Sequence, residues 1–445
     1  MAAHVPGREP ESDNGAQRVV ESVLGFPNIG ARLGPTPERT VAMDEAAGLK
    51  ARTEAPDLAA MRRYRLGRLL REIEARDVAG VLLFDPVNIR YATDCSNMQV
   101  WTLNNPARYA LVLAGGRVIL WEFHGAEHLS DDLPLIAETR VGTPWFHFAA
   151  GDDGLRKARE FAGEIATEIR AHADGNLRLA VDRIDTVGSF ALLAEGLALE
   201  DGMALAEDAR LVKSTDEIAA MRRAVAACEE GVARMRAALW PGITENALWS
   251  LLHQANIELG GEWVMTRLLS SGPRTNPWYQ ECGFKMLEKG EIVSFDTDLV
   301  GPYGYVCDIS RAWICGDVRP TGRQRELLEV SRDQIEHNRT LLHAGTSTTE
   351  ISHAAFRMPA KFEDQQYLGL IHGVGLGDEH PVAVPAKFVH RGVKETVLEP
   401  GMTVSIESYV GEVGGAEGVK LEEQVLITKT GSEPLSTYPI DETWG

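Results

Sequence analysis

The sequence predicts an α/β (α+β) protein in which a small N-terminal α/β domain precedes a larger C-terminal domain. Helical runs alternate with short apolar strands between about residues 57 and 200. A capping box at Ser214–Glu217 then begins a new helix. From Gly261 to Thr428, short strands and turns prevail, with helices between them. The predicted segments are an irregular N-terminal arm at 1–55, the N-terminal domain at 56–204 and the C-terminal domain at 205–445.

The N-terminal arm is rich in Gly, Pro, Glu and Arg and has no sustained period. We expect it to be irregular, either flexible or ordered only against a partner subunit. The whole chain of 445 residues carries a net charge of −20, which disfavours nucleic acid and anionic membranes as partners.

The cysteines and the apolar runs indicate a cytoplasmic protein. The five cysteines show neither CxxC nor zinc-type spacing, which fits a reducing compartment. There is no apolar run of about 18 residues, so we expect no membrane span. The N-terminus also lacks the charged and apolar blocks of a signal peptide.

Local patterns predict the elements of the N-terminal domain. A helical run is followed by a buried strand that Asp85-Pro86 stops, and two further strands flank Gly115-Gly116. The predicted elements are a helix over 58–73, strands over 80–84, 109–113 and 118–121, a helix over 154–172 and a strand over 177–181. This domain shows no catalytic cluster.

The C-terminal domain begins with two predicted helices. In the capping box, the Ser214 and Glu217 side chains satisfy each other's free backbone donors. The dipeptide Pro241-Gly242 ends this first helix, and Thr244 starts the second.

Acidic side chains and one histidine interrupt the apolar strands of the C-terminal domain. Two aspartates at i and i+2 end an apolar run, and on a strand they would share one face. A hairpin can bring a third aspartate beside them. A histidine follows in a Gly-rich turn, and two glutamates interrupt later strands, where a lone charge is costly to bury. The set is Asp296, Asp298, Asp308, His372, Glu407 and Glu422.

This set favours a metal site. Five carboxylates carry a charge of −5, of which two divalent ions would offset +4. Oxygen ligands with one imidazole suit Mn, Fe, Co or Zn, and the residues alone do not choose among them. A single acid in a strand is more often exposed or hydrogen-bonded than a ligand, so the prediction depends on the whole set.

The order Asp, Asp, His, Glu, Glu on strands resembles the pita-bread fold of methionine aminopeptidases, prolidases and creatinases. The resemblance covers about residues 57–438, with a creatinase-type phrase at 88–93 and a linker phrase at 212–218. It implies a creatinase-like N-terminal domain and a pita-bread catalytic domain. The chain also departs from the peptidases, because Trp278 and Glu379 stand where those enzymes have histidines.

That altered pattern is similar to dimethylsulfoniopropionate (DMSP) lyases of the DddP type. The matching phrases lie at 271–278, 294–299, 308–311, 372–379 and 421–428. The resemblance implies a metal-dependent lyase that splits DMSP into dimethyl sulfide and acrylate. It further implies that all six residues of the set are ligands, with iron as the metal, that Asp378 is the catalytic base, and that the protein is a homodimer.

The chemistry of DMSP suggests which other side chains bind it. Elimination needs one base and no general acid, because the sulfur leaves as a neutral group. Aromatic faces attract a sulfonium cation, so Trp278, Tyr279 and Tyr367 are candidates, with ordinary core packing as the alternative. Glu379 and His380 could assist, but nothing ranks them above Asp378.

Three other readings stay open on sequence alone. The first is an Xaa-Pro-type metallopeptidase, which needs histidines to steer its peptide. The second is a non-catalytic pita-bread binding protein, although such proteins usually lose metal ligands. The third is an enzyme whose main substrate is another compound.

Overall fold

The structure is a computed structural model that describes residues 53–440 and Trp444, so the predicted N-terminal arm lies outside the described residues except for 53–55. Its helices are α1 Leu58–Ala75, α2 Pro86–Thr93, α3 Gln99–Asn104, α4 His147–Ala150, α5 Gly154–His172, α6 Thr186–Ala194, α7 Gly202–Arg210, α8 Thr215–Ala238, α9 Glu245–Glu258, α10 Gly322–Thr340 and α11 Thr348–Ala354. Its strands are β1 Gly80–Leu83, β2 Tyr109–Leu113, β3 Val118–Glu122, β4 Glu138–Val141, β5 Arg178–Val181, β6 Ala198–Asp201, β7 Trp263–Val264, β8 Leu269–Ser271, β9 Ile292–Asp296, β10 Leu299–Val300, β11 Val306–Cys307, β12 Ser310–Ile314, β13 Ile371–Val374, β14 Asp378–Ala383, β15 Thr403–Gly411, β16 Gly418–Ile427 and β17 Ser432–Pro434.

Strands β1 to β6 form one six-stranded sheet in the order β4-β3-β2-β1-β5-β6. The predicted hairpin is confirmed, since β2 and β3 pair antiparallel and Gly116 takes a φ of +84° between them, a conformation that glycine adopts without strain. The helix predicted over 154–172 is also confirmed, and it buries Phe161 and Ile165 in one cluster with Tyr109 and Trp121.

Helix α8 begins at the predicted capping box. Ser214 Oγ accepts a hydrogen bond from the Glu217 backbone N–H at 3.2 Å, and Glu217 Oε2 accepts one from the Ser214 N–H at 2.8 Å. The helix buries Met221 and Val232 in a core cluster that also contains Leu69 of α1. The N-terminal and C-terminal parts of the described chain therefore share one apolar core.

The large sheet of the C-terminal part has the strand order β14-β13-β15-β16-β12-β9-β8, with β17 paired to β16. Helix α10 covers one face of it, where Ser331 Oγ donates to Ser408 Oγ at 2.9 Å and Ser408 Oγ donates to Gln334 Oε1 at 2.8 Å. Because side chains alternate along a strand, Glu407 lies on the opposite face from Ser408. That opposite face carries the polar side chains described below.

A third, small sheet pairs β11 with β10 and β10 with β7. Strands β10 and β11 lie between β9 and β12 along the chain, so this sheet fixes the turn region that joins those two strands. Among the described residues, no helix combines the length and the apolar character needed to cross a membrane.

Candidate metal centre

Three of the six predicted side chains lie in one row across four adjacent strands. The strand register pairs Asp296 with Ser310, Ser310 with Glu422, and Glu422 with Glu407. Residues in register point to the same face of a sheet. Ser310 Oγ lies between two of the acids and donates to Asp296 Oδ1 at 2.8 Å and to Glu422 Oε2 at 3.1 Å. The register of the four strands thus brings these carboxylates together, and no long loop is needed to position them.

The prediction that Asp296 and Asp298 share one strand face is wrong. Strand β9 ends at Asp296, and Asp298 has a φ of +36°, so the chain turns between them. The Asp298 N–H donates to Asp308 Oδ1 at 3.4 Å, and Asp298 Oδ2 accepts from Thr266 Oγ1 at 2.7 Å. Asp308 also lies between two strands, β11 and β12, and not within one. Both aspartates enter the cluster from turns.

His372 reaches the cluster from strand β13, and not from a turn as predicted. Its Nε2 lies 3.2 Å from Glu407 Oε1, 3.3 Å from Glu422 Oε1 and 3.6 Å from Asp308 Oδ2. Burial alone lowers the pKa of His372, but the close contacts with Glu407 and Glu422 outweigh it and raise that pKa well above its ordinary value. This imidazole therefore joins the row of strand carboxylates to Asp308.

The candidate ligand atoms converge in three overlapping groups, within each of which they lie no more than 4.8 Å apart. Five of the six predicted ligands belong to these groups, and Asp298 lies beside them through its bond to Asp308. The groups are His372 with Glu407 and Glu422, Asp296 with Asp308 and Glu422, and Asp308 with His372 and Asp378.

A lysine for which the sequence predicts no role lies inside the cluster. Lys420 is fully buried and precedes Glu422 by two residues on β16, so both side chains share one face. Its Nζ lies 2.9 Å from Asp296 Oδ2, 2.6 Å from Glu407 Oε2 and 2.8 Å from Glu422 Oε2. Burial lowers the pKa of Lys420, but these three acids raise it well above its usual value, so the amine is an ammonium ion.

Crowding shifts the protonation of the acids. Burial first, and then the charge of Glu422, raises the pKa of Asp296 and of Asp308 well above the ordinary value. Burial and the charge of Asp378 raise the pKa of Asp298 to about 7. Burial also acts to raise the pKa of Glu422, but Lys420 and His372 bring it well below the usual value. Ionising all the acids of the set therefore requires more positive charge than Lys420 and His372 supply.

The residues fit a divalent metal ion. Glu422 Oε1 is buried and accepts no hydrogen bond from the described residues, although His372 Nε2 lies 3.3 Å away. Carboxylate oxygens with one imidazole are the donor set of Mn, Fe, Co and Zn sites. A cavity of about 720 Å³ lined by Trp240 and Arg319 lies elsewhere and shares no residue with this set, so its size does not mark the site.

Asp378 lies at the rim of the cluster, at the start of β14. It pairs in register with Val374, two residues beyond His372. Its side chain is exposed on one side, yet the surrounding protein desolvates it, and this is the first cause that raises the pKa of the carboxyl. His372 opposes that rise, while Glu422 and Glu407 add to it.

Three aromatic side chains lie at the cluster. Lys420 Nζ is 5.1 Å from the Tyr367 ring centroid and 6.0 Å from that of Trp278. Trp278 is only 6% exposed and its ring lies 6.0 Å from that of Tyr409, whereas Tyr279 is 62% exposed with its ring 5.7 Å from Tyr367. The structure thus brings all three candidates together, and Tyr279 has the most open surface.

The two residues after Asp378 do not face the cluster. Glu379 pairs with Arg210 and Lys213, and His380 Nε2 is bonded to Thr396 Oγ1. On sequence alone both could assist the base, but the contacts of both side chains lie away from the predicted metal ligands.

Fold and cluster together define a metal-binding protein of the pita-bread class. Residues 219–429 match the model of Metallopeptidase family M24. The structure of an Xaa-Pro dipeptidase from Bacillus anthracis superposes with a TM-score of 0.69 at 19% identity, covering 84% of this chain and 97% of that one. At that identity the likeness shows the fold alone.

Two relatives are similar along most of the chain, and both are named dimethylsulfoniopropionate lyase DddP. The protein of Roseobacter denitrificans is 46% identical over 396 residues, which is 88% of this chain and 89% of its own length. That of Roseovarius nubinhibens is 47% identical over 392 residues, 87% and 88% of the two chains. This chain belongs to the DddP family of dimethylsulfoniopropionate lyases.

Proposed function

We propose that this protein is a metal-dependent lyase that cleaves DMSP to dimethyl sulfide and acrylate by β-elimination. Its relationship to the DddP lyases supports the substrate. The observation that carries the chemistry is the position of Asp378, a carboxylate of raised pKa beside His372 and Asp308. A peptidase role would need histidines at two places where the chain has Trp278 and Glu379.

Asp378 acts as the base of the elimination. It takes the proton from the carbon next to the substrate carboxylate, and the electron pair of that C–H bond forms the C=C bond of acrylate. The C–S bond breaks, and its electron pair leaves with the sulfur as neutral dimethyl sulfide. The leaving group takes up no proton, so one base is enough. A raised pKa makes Asp378 a stronger base than an aspartate of ordinary pKa.

Asp296, Asp298, Asp308, His372, Glu407 and Glu422 would hold the metal. When bound, it supplies Lewis-acid chemistry that withdraws negative charge from a substrate carboxylate. The charges support two divalent ions, because the five carboxylates exceed the single Lys420 ammonium by the four positive charges that two such ions carry. We propose iron as the metal, with Mn, Co and Zn as alternatives.

The aromatic side chains bind the sulfonium end of the substrate. A cation over an aromatic face gains on the order of 1–2 kcal/mol when it leaves water. The Lys420 ammonium already lies near Tyr367 and Trp278, and a second cation beside it would be repelled. We therefore assign the sulfonium first to the exposed Tyr279, whose ring lies 5.7 Å from that of Tyr367. Tyr367 and Trp278, the two rings next to Lys420, would line the same substrate site.

A cytoplasmic homodimer completes the proposal. All five cysteines are free thiols and buried, as suits a reducing compartment. Exposed apolar side chains beside and within α3, namely Met98, Val100 and Leu103, offer area for a second copy. Light scattering coupled to size exclusion measures the mass of the assembly directly.

The test mixes purified, metal-assayed protein with DMSP and measures dimethyl sulfide in the headspace and acrylate in solution. We expect equal amounts of both products, loss of activity after chelation, and recovery with Fe²⁺. Asp378→Asn should retain the metal and lose at least a hundredfold in rate, because it removes the base and keeps the shape of the side chain.

Parallel samples separate the alternatives. Proline release from an Ala-Pro peptide without dimethyl sulfide from DMSP would establish the peptidase. A folded protein that binds neither Fe²⁺ nor Mn²⁺ would establish the non-catalytic reading. Wild-type turnover by Asp378→Asn would remove Asp378 as the base while leaving the lyase activity intact.

A further inference from the structure

We propose that Glu379 is a positioning residue for the elimination. Its buried carboxylate, held by Arg210 and Lys213, fixes the hairpin turn that presents Asp378 to the substrate. The proposal rests on the role of Asp378 as base given above.

The Glu379 carboxylate is enclosed by three donors. Oε1 accepts hydrogen bonds from Arg210 Nε at 2.9 Å and from the Leu376 backbone N–H at 3.1 Å, and Oε2 accepts from Lys213 Nζ at 3.0 Å. Burial acts to raise the pKa of Glu379, but Lys213 and Arg210 bring it below its ordinary value. The side chain is thus a buried anion between two cations.

The hydrogen bond from the Leu376 N–H ties the turn between β13 and β14 to the Glu379 side chain. Leu376 lies in that turn, with His372 on the strand before it and Asp378 directly after it. A Cβ atom on Gly375 would lie 2.5 Å from Glu379 Oε1, so the carboxylate packs against the glycine backbone. One side chain therefore sets the distance between a proposed ligand strand and the proposed base.

Neighbouring residues of a strand face opposite sides, so Asp378 and Glu379 point apart. Asp378 lies beside the carboxylate–histidine cluster, whereas Glu379 points towards the linker that precedes α8. This explains how an acid can replace a peptidase histidine without adding negative charge among the metal ligands. With glutamate in place of histidine, this position holds the turn instead of facing the substrate. Glu379 with Arg210 and Lys213 is called the anchor below.

The two cations of the anchor, Arg210 and Lys213, also bond groups outside the site. Arg210 is the last residue of α7, and its guanidinium also bonds Asn88 Oδ1 on α2. Lys213 is held through its backbone N–H, which donates to Gly401 O at 2.9 Å. The position of the base thus depends on groups from the N-terminal part, the linker and the turn that precedes β15. A misplacement of about 1 Å in such a group can lower a rate about a hundredfold.

Glu379→Gln tests the proposal. The amide keeps the size of the side chain and an acceptor for Leu376, but it removes the charge shared by Arg210 and Lys213. We expect kcat for DMSP to fall at least tenfold, with KM and metal content within twofold of wild type. Glu379→Asp keeps the charge on a shorter side chain and should recover part of the lost kcat.

The matched control is Glu122→Gln. Glu122 is also buried and forms an ion pair with a buried arginine, Arg108. It lies at the end of β3 in the six-stranded sheet, which contributes none of the predicted site residues. We expect it to lower the melting temperature and leave kcat unchanged. If Glu379→Gln is poorly folded, Lys213→Gln, which leaves the Arg210 contact in place, should give a smaller loss of kcat in the same direction.

Hydrogen exchange supplies a measurement that does not depend on the substrate. In Glu379→Gln the amides of residues 375–378 should exchange faster than in wild type, whether or not the protein acts on DMSP. Unchanged exchange there, unchanged kcat, or a loss of kcat that follows loss of metal would each overturn the proposal. A wild-type protein without lyase activity but with faster exchange in the variant would refute the proposed function, and with it the catalytic part of this proposal, and would leave only the role of Glu379 in holding the turn.

Discussion

Lys420 is the residue whose surroundings were least visible in the sequence. A lysine in a strand usually lies at an exposed edge, and nothing local to Val419–Leu421 suggests otherwise. Its partners come from three separate strands, so only the register of the large sheet reveals them. The acids were easier to identify, because charges within apolar runs are costly to bury without a purpose. The position of Asp298 was predicted wrongly because an i, i+2 spacing places two side chains on one face only along a continuous strand, and the chain turns after β9.

Replacing Lys420 tests its contribution to the metal-free protein. Lys420→Met leaves three buried carboxylates without their ammonium partner, and breaking such a pair costs about 3–5 kcal/mol. We expect chelated Lys420→Met to unfold at lower denaturant than chelated wild type, and added metal to recover part of the difference.

Lys387→Met is the control for that substitution. Lys387 pairs with Glu363 at 3.5 Å, and both side chains are substantially exposed, so its loss should change the free energy of unfolding by less than about 1 kcal/mol. Equal effects of the two substitutions would show that Lys420 contributes no more than a surface charge.

The helices and strands were predictable wherever one local signal set a boundary. The capping box located the start of α8, and the glycines at 115–116 located the hairpin of β2 and β3. Pairings between distant strands carried no such signal. The contact of β16 with β12, which places Glu422 opposite Ser310, depends on the whole sheet and on no nearby residue.

At the level of the element, the N-terminal cap of α8 makes a measurable contribution to the free energy of unfolding. Ser214→Ala removes the hydrogen bond to the Glu217 N–H, and loss of such a cap costs about 1 kcal/mol. Chemical denaturation should show that decrease with an unchanged dependence on denaturant. Ser250→Ala within α9 is the matched change, because that exposed hydroxyl only bonds a carbonyl of its own helix. A decrease for Ser250→Ala as large as that for Ser214→Ala would contradict the capping role.

At the scale of the whole molecule, a buried ionic network joins the N-terminal and C-terminal parts. Arg65 of α1 is fully buried and bonds Tyr305 Oη at 2.9 Å, with Asp94 at 3.2 Å and Glu217 at 3.6 Å. Each of these partners belongs to a different segment. The network therefore adds a directional connection to the shared apolar core.

Arg65→Met should destabilise the protein as a whole. It leaves Glu217 and Asp94 without a buried counter-charge, for which we expect a loss of about 3–5 kcal/mol in the free energy of unfolding, measured by denaturation. Arg156→Met removes an arginine that is 56% exposed and pairs with Asp153 and Glu160, and should leave the free energy of unfolding nearly unchanged, because solvent screens such a pair. Similar losses for both substitutions would mean that the buried network contributes no more to the free energy of unfolding than an exposed ion pair does.

The row of side chains across β9, β12, β16 and β15 also couples assembly of the sheet to readiness for catalysis. A slip of one residue in any of these pairings would turn an acid to the face covered by α10. A chain folded in the wrong register would lack the complete set of proposed metal ligands, and on that proposal it would retain no ion. Metal retention in a freshly made sample therefore reports the fraction of chains that reached the native register, and it does so before any substrate is added.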